Sequence, residues 1–241
     1  MASQAALGLA ERFDTGGLGQ RFHAAGEFLH LPDFLGSERL RALQGELPAL
    51  RGEVHRNRIP GHKQGGSVSS YRLARQAPAF GELYHSPEML DFVRTLAAPG
   101  LGPCPPDDPH AYALYHYTRE GDFIGWHKDT SHYRGDRYTV LIGLVDESSC
   151  RLEYRLPGER TVRSTALAPG ALVIFNGDAI EHRVTPAAAG DERIVLTLEY
   201  VTDGRMAPWR RLQTRMKDAF GYFGLREVLR GAGPRGAGSA E

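Results

Sequence analysis

Near the middle of the chain stands Gly125-Trp126-His127-Lys128-Asp129, with Glu181-His182-Arg183-Val184 far downstream and Arg193 eleven residues past the second histidine. Two imidazoles and a carboxylate form a metal-ligand set. An isolated His-x-Asp is weak evidence, and the context strengthens it. Gly121-Asp122-Phe123-Ile124 leads into the first histidine through a turn and a short apolar approach. His182 follows a Pro169-Gly170 turn, the apolar run 171–175 and a second turn at Asn176-Gly177-Asp178. Tyr117 precedes His127 by ten residues, and Arg193 opens another apolar run.

Around this set the pattern is that of short strands. Segments 111–117, 138–145, 151–156, 162–167, 171–175 and 193–201 are β-rich and separated by Gly, Pro, Asp or Ser turns. Six such strands at close spacing predict a sandwich or jelly roll. Side chains on a strand alternate faces. If Arg193 points inward, so do Val195, Thr197 and Glu199, while Ile194, Leu196, Leu198 and Tyr200 pack outward under helices. An inward carboxylate needs a partner. For Glu199 that is a substrate ammonium group, a neighbouring arginine or water at the barrel rim.

With these residues in place, the chain resembles the iron(II)/2-oxoglutarate-dependent oxygenase superfamily in its prolyl-hydroxylase-like branch. The resemblance covers about residues 110–202, and is looser over the N-terminal helices. It implies an α+β, mainly β fold: a double-stranded β-helix, cupin-like, with supporting N- and C-terminal helices. It maps His127, Asp129 and His182 onto the Fe(II) ligands, which leaves three positions for O2 and 2-oxoglutarate as co-substrates. Arg193 maps onto the group pairing with the far carboxylate of 2-oxoglutarate, where many relatives have Lys. An arginine fork suits a carboxylate. Tyr117 and Thr139 are candidates for hydroxyl contacts to the same carboxylate; otherwise they are a core aromatic and an ordinary strand threonine. Related halogenases have Gly or Ala in place of Asp129, so the carboxylate here predicts hydroxylation or another oxidation rather than halogen transfer.

The expected reaction is hydroxylation of an unactivated C–H of a small polar metabolite, an amino acid or natural-product intermediate, coupled to decarboxylation of 2-oxoglutarate to succinate. The layout is also loosely similar to the free-amino-acid hydroxylases and halogenases. Arg72 and Arg75 are candidates for a substrate carboxylate, and Glu199 for its amine. Trp126 and Tyr133 flank the metal motif and are candidates for the pocket wall, with simple packing as the alternative for Trp126. A protein or prolyl residue hydroxylase is a second expectation. A non-catalytic cupin-like binding or sensor protein is a third, from another class.

The N-terminal half is read from capping and periodicity. Residues 1–25 are rich in Ala and Gly and read as a loosely held arm. A strand is expected over 27–31. A helix from Ser37 as N-cap carries Leu40, Leu43 and Leu47 and stops at Pro48. Segment 51–76, with Arg51, Arg56, Arg58, Lys63, Arg72 and Arg75, reads as a long irregular loop, either a lid or a solvated basic loop. Ser86-Pro87-Glu88 opens a helix with Met89, Leu90, Phe92, Val93 and Leu96 on its apolar face. One oxygenase domain is expected over 26–225, ending in a helix over 209–222, with a disordered tail over 226–241. Trp209, Leu212, Met216, Phe220 and Phe223 cover either their own barrel or a second subunit, as in a homodimer.

Composition narrows the class. At 241 residues and 41% apolar, the chain has length and apolar content for one domain with a real core. Its formal net charge is zero, and no basic run is interleaved with aromatics, which argues against nucleic acid as partner. Two cysteines make neither a disulfide framework nor a zinc cluster and fit a reducing cytoplasm. No signal peptide and no apolar run of membrane length is read from the sequence, so a cytoplasmic protein with a small-molecule substrate is expected.

Overall fold

The computed structural model describes residues 13–129 and 132–207. It begins with helix α1 (Thr15–Ala24), capped by the Asp14 carboxylate, then strand β1 (Phe28–Leu31) and helix α2 (Ser37–Leu50). A 3-10 turn (Arg51–Glu53) leads to the hairpin β2 (His55–Ile59) and β3 (Lys63–Val68). Three short helices follow: α3 (Ser70–Gln76), α4 (Pro78–His85) and α5 (Pro87–Leu96). The remaining strands are β4 (Gly102–Pro103), β5 (Tyr112–Tyr117), β6 (Phe123–His127), β7 (Arg137–Glu147), β8 (Leu152–Arg155), β9 (Arg163–Thr165), β10 (Leu172–Asn176), β11 (Glu181–Val184) and β12 (Glu192–Val201).

These strands form one curled antiparallel sheet in the order β1-β10-β7-β12-β5-β3-β6-β11-β8-β9, with β2 on β3 and β4 on β12. The sheet folds over at β3. Its Gly66, Ser67 and Val68 pair with β5, while Lys63 and Gln64 pair with β6. A Cβ on Gly66 would lie 2.5 Å from Val54 Cγ1 and 3.1 Å from His116 Cβ, so a residue without a side chain lets the layers close here. The result is a mainly β jelly roll with its helices on one face.

Alternation along β7 and β12 builds two layers of core. Tyr138, Val140, Ile142 and Leu144, with Ile194, Leu196, Leu198 and Tyr200, pack against Phe22, Phe34, Leu43, Phe80 and Phe92 of the helical layer and its connections. Leu141 and Val195 face the barrel interior with Val173 and Phe175 of β10. Each fully buried large side chain contributes about 1.5–3 kcal/mol relative to exposure.

Several expectations are corrected. Residues 15–24 are a helix rather than a loose arm, because Leu18 and Phe22 are four apart and bury together. Segment 51–76 is an ordered turn, hairpin and helix. Its strands are held by pairing with β5 and β6, not by their own apolar content. Helix α2 continues through Pro48 to Leu50, anchored by buried Leu43 and Leu50; its N-cap is Gly36, not Ser37. The Ser86 cap is as expected, its Oγ accepting from Met89 N. The helix expected over 209–222, its dimer-facing residues and the 226–241 tail lie outside the described residues. Among the described residues no helix is long and apolar enough to cross a membrane.

Candidate metal and co-substrate site

β6 delivers His127 and β11 delivers His182, directly opposite each other in the antiparallel pairing, with ring centroids 4.2 Å apart. Asp129 lies just past β6, where its backbone N donates to Gly177 O at 3.0 Å. A Cβ on Gly177 would lie 3.0 Å from both Asp129 Cβ and Thr139 Oγ1, so a larger residue there would press on the carboxylate's support. One ligand atom from each of His127, Asp129 and His182 lies within 4.8 Å of the others. His127 Nε2 is 3.5 Å from Asp129 Oδ1, and His182 Nε2 is 3.7 Å from Oδ2.

Backbone carbonyls set both imidazoles. His127 Nδ1 donates to Gly125 O at 2.8 Å and His182 Nδ1 to Ile180 O at 3.3 Å. A carbonyl only accepts, so Nδ1 carries the proton and the Nε2 lone pair faces the centre. Burial pushes His182 down to about 4, against the opposing pull of Asp129, which keeps it neutral at ordinary pH. Burial alone would raise Asp129, but His182 and His127 hold it well below the usual carboxylate range. The neutral His182 imidazole and the ionised Asp129 carboxylate meet the requirement that metal ligands be deprotonated, and the donor set of His127, Asp129 and His182 fits iron(II). Thr139 Oγ1 lies 2.7 Å from Asp129 Oδ2 and 2.9 Å from Glu199 Oε2, linking the ligand to the sheet behind it.

A cavity opens over this set, lined also by Arg193, Tyr117, Thr139, Arg137 and Glu199. Arg193 is only 2% exposed, and its guanidinium donates no hydrogen bond to any described residue. A buried cation with unused donors calls for an anion. Tyr117 is its cross-strand partner, with the guanidinium 5.2 Å from the ring centroid. Burial pushes the Tyr117 phenol up to about 12, so it stays a hydroxyl donor beside the arginine.

The other candidates divide. Glu199 faces the interior with Arg193, Val195 and Thr197, as alternation along β12 requires. Its partner is a neighbouring arginine rather than a substrate amine: Arg137 Nε donates to Glu199 Oε2 at 2.8 Å. Thr139 reaches the ligand Asp129 instead of standing alone. Trp126 is absent from the cavity lining. Trp126 lies against Arg155 and Arg183, whose guanidinium carbons are 4.0 and 4.8 Å from its ring centroid. Tyr133 is also outside the lining; its hydroxyl donates to Asp108 Oδ2 at 2.8 Å. Arg72 pairs with Glu53 away from the cavity, and Arg75 is exposed on α3. Sequence reasoning passed over Arg137, although it shares a face of β7 with Thr139 two residues on. It also passed over Lys128 and His110 at the cavity wall.

Comparison with known proteins supports the fold. Residues 15–134 match the family model described as Halogenase D. No curated protein matches the chain. Among solved structures it is similar to a prolyl-4-hydroxylase from Pseudomonas putida, with 17% identity over 79% of this chain and 99% of that one, at a TM-score of 0.59. A prolyl hydroxylase from Trichoplax adhaerens, solved with a hypoxia inducible factor oxygen degradation domain peptide fragment, shows 16% identity over 83% and 96%, at 0.64. HygX from Streptomyces hygroscopicus, solved with nickel, 2-oxoglutarate and hygromycin B, shows 15% over 76% and 85%, at 0.57. The fold is therefore the jelly roll of the iron(II)/2-oxoglutarate oxygenases, the superfamily that the motif set resembles.

Proposed function

We propose that this chain is an iron(II)/2-oxoglutarate-dependent dioxygenase that hydroxylates an unactivated C–H of a small polar metabolite. The observation that carries the reading is Arg193: a buried guanidinium without hydrogen bonds among the described residues, facing the same cavity as His127, Asp129 and His182. His127, Asp129 and His182 would hold the iron, and Arg193 with Tyr117 the far carboxylate of 2-oxoglutarate. Iron with 2-oxoglutarate and dioxygen supplies the oxidising power for C–H cleavage. The chain's own part is position and dryness. Gly125 O and Ile180 O fix the imidazoles, Thr139 fixes Asp129, and the apolar walls at Leu141, Leu152 and Val195 keep water out.

Asp129 supports hydroxylation over halogen transfer, since its carboxylate already stands beside both imidazoles. A cavity with Lys128, Arg137 and Glu199 in its walls supports a small polar substrate. The β2–β3 hairpin supports it too, being built into the sheet rather than standing off as a trench wall. The test is an anaerobic visible titration with iron(II) and then 2-oxoglutarate. A charge-transfer band needing both, and weakened in Arg193→Ala, is expected, followed by succinate release in a screen of metabolites and proline-containing peptides. A folded protein that forms no band would shift the reading to a binding protein.

A further inference from the structure

The cavity holds a second guanidinium, and it differs from Arg193. Arg137 opens β7 opposite Val201, at the other end of the β7–β12 pairing from Arg193, which stands opposite Asp146. From Arg193 to Glu199 strand β12 advances by six residue steps, roughly 20 Å of extended chain. The two arginines thus belong to opposite ends of one interior face, with Thr139 and Asp129 beside the Arg137 end.

Arg137 Nε donates to Glu199 Oε2 at 2.8 Å, and the side chain is 13% exposed. Its two terminal amino groups donate to no described residue, and Arg137 is one of the residues that line the cavity. Burial works against its charge, but Glu199 and then Asp108 hold it protonated, well above the ordinary range. A guanidinium has five N–H donors in a planar fork, and its amino edge matches the two oxygens of a carboxylate. Glu199 occupies the Nε side, which orients that edge and leaves it available. Packing alone does not need an arginine here, and an unsatisfied cationic edge is costly unless water or a ligand meets it.

We propose that Arg137 is an anchor for a carboxylate of the molecule oxidised, held in position by Glu199 and Thr139. The substrate would then be an acid, with its reacting carbon placed between this anchor and the metal ligands. The word substrate rests on the oxygenase reading; the anion site does not.

Calorimetric titration of the full chain with propionate and with propionamide tests this. In the first arm the protein carries iron(II) and saturating 2-oxoglutarate without oxygen. In the second it carries neither but has Arg193→Gln, so the other guanidinium takes no anion. Propionate is expected to bind at least about tenfold tighter than propionamide in both arms. The preference is expected to fall below about twofold with Arg137→Gln. Because that variant strips Glu199 of its partner, Arg137→Gln with Glu199→Gln provides a folded comparison without a lone buried carboxylate. Equal binding of propionate and propionamide, or a preference that survives both Arg137 variants, overturns the proposal. A preference in the second arm, with no charge-transfer band formed in the first, sinks the oxygenase reading and leaves the anion site standing. A band without the preference does the reverse.

Discussion

Asp129 is held by its neighbours before any ligand arrives. Its backbone is tied to Gly177 O, and Thr139 Oγ1 reaches its Oδ2. The threonine hydroxyl has one proton and two carboxyl groups beside it, those of Asp129 and Glu199. Burial lifts Glu199 from 4.5 to about 8, with Arg137 pulling back and Asp129 pushing further. Thr139→Val is expected to lower iron(II) affinity about 10- to 100-fold, read by competition with a coloured chelator. Unchanged affinity would show that Asp129 needs no such support. The raised Glu199 also gives a pH signature. The folded state binds the extra proton between 4.5 and 8, so its stabilisation is present at low pH and lost as pH rises through 8. His182, lowered to about 4, acts oppositely and is complete above 6.5. Between pH 6.5 and 8 the metal-free protein is therefore expected to lose stability, by up to about 1.4 kcal/mol per pH unit, and to change little above that. Denaturant melts should show this slope in the wild type and a flatter one in Glu199→Gln.

At the scale of elements, the two strands that carry the histidines are too short for periodicity to reveal them. β6 and β11 are five and four residues long, and their inward positions serve the site rather than the core. β2 is His-Arg-Asn-Arg-Ile and β3 contains two glycines, so neither shows apolar alternation; pairing with distant β5 and β6 makes them part of the sheet. The arginines of that segment are structural in two cases. Arg72 pairs with Glu53, and Arg56 meets Asp122 through both amino groups at 2.8 and 2.5 Å. Asp122 is fully buried and also accepts from the backbone N of Thr118 and Arg119, fixing the turn from which β6 runs to His127. Removing one partner of a buried pair leaves the other charge uncompensated. Asp122→Ala is expected to cost about 3–5 kcal/mol in chemical denaturation. A loss below about 1 kcal/mol would mean that water replaces the carboxylate.

Across the whole molecule, chemistry and stability sit on opposite faces of the same two strands. β7 and β12 give Arg137, Thr139, Arg193 and Glu199 to the cavity and their alternate residues to the helical layer. That division was legible because β12 is ten residues long and apolar on one face, so placing Arg193 inward fixes the whole strand. The partners across the barrel were not legible. Glu199 meets Arg137 and Thr139 meets Asp129 only after distant segments pair. Phe92, fully buried against the ring of Phe34 at 5.0 Å, belongs to the other face. Phe92→Ala is expected to cost about 3–5 kcal/mol while leaving iron(II) affinity in the folded protein unchanged. A parallel loss of metal binding would show that the faces are not independent.

The most direct test of the proposed centre is an anomalous difference map from crystals grown without oxygen in manganese(II) and 2-oxoglutarate. One metal peak within coordination distance of His127 Nε2, His182 Nε2 and an Asp129 oxygen is expected, with the far carboxylate of 2-oxoglutarate on Arg193. A metal held elsewhere, or an Arg193 fork that meets no carboxylate in a map showing 2-oxoglutarate bound, would contradict it.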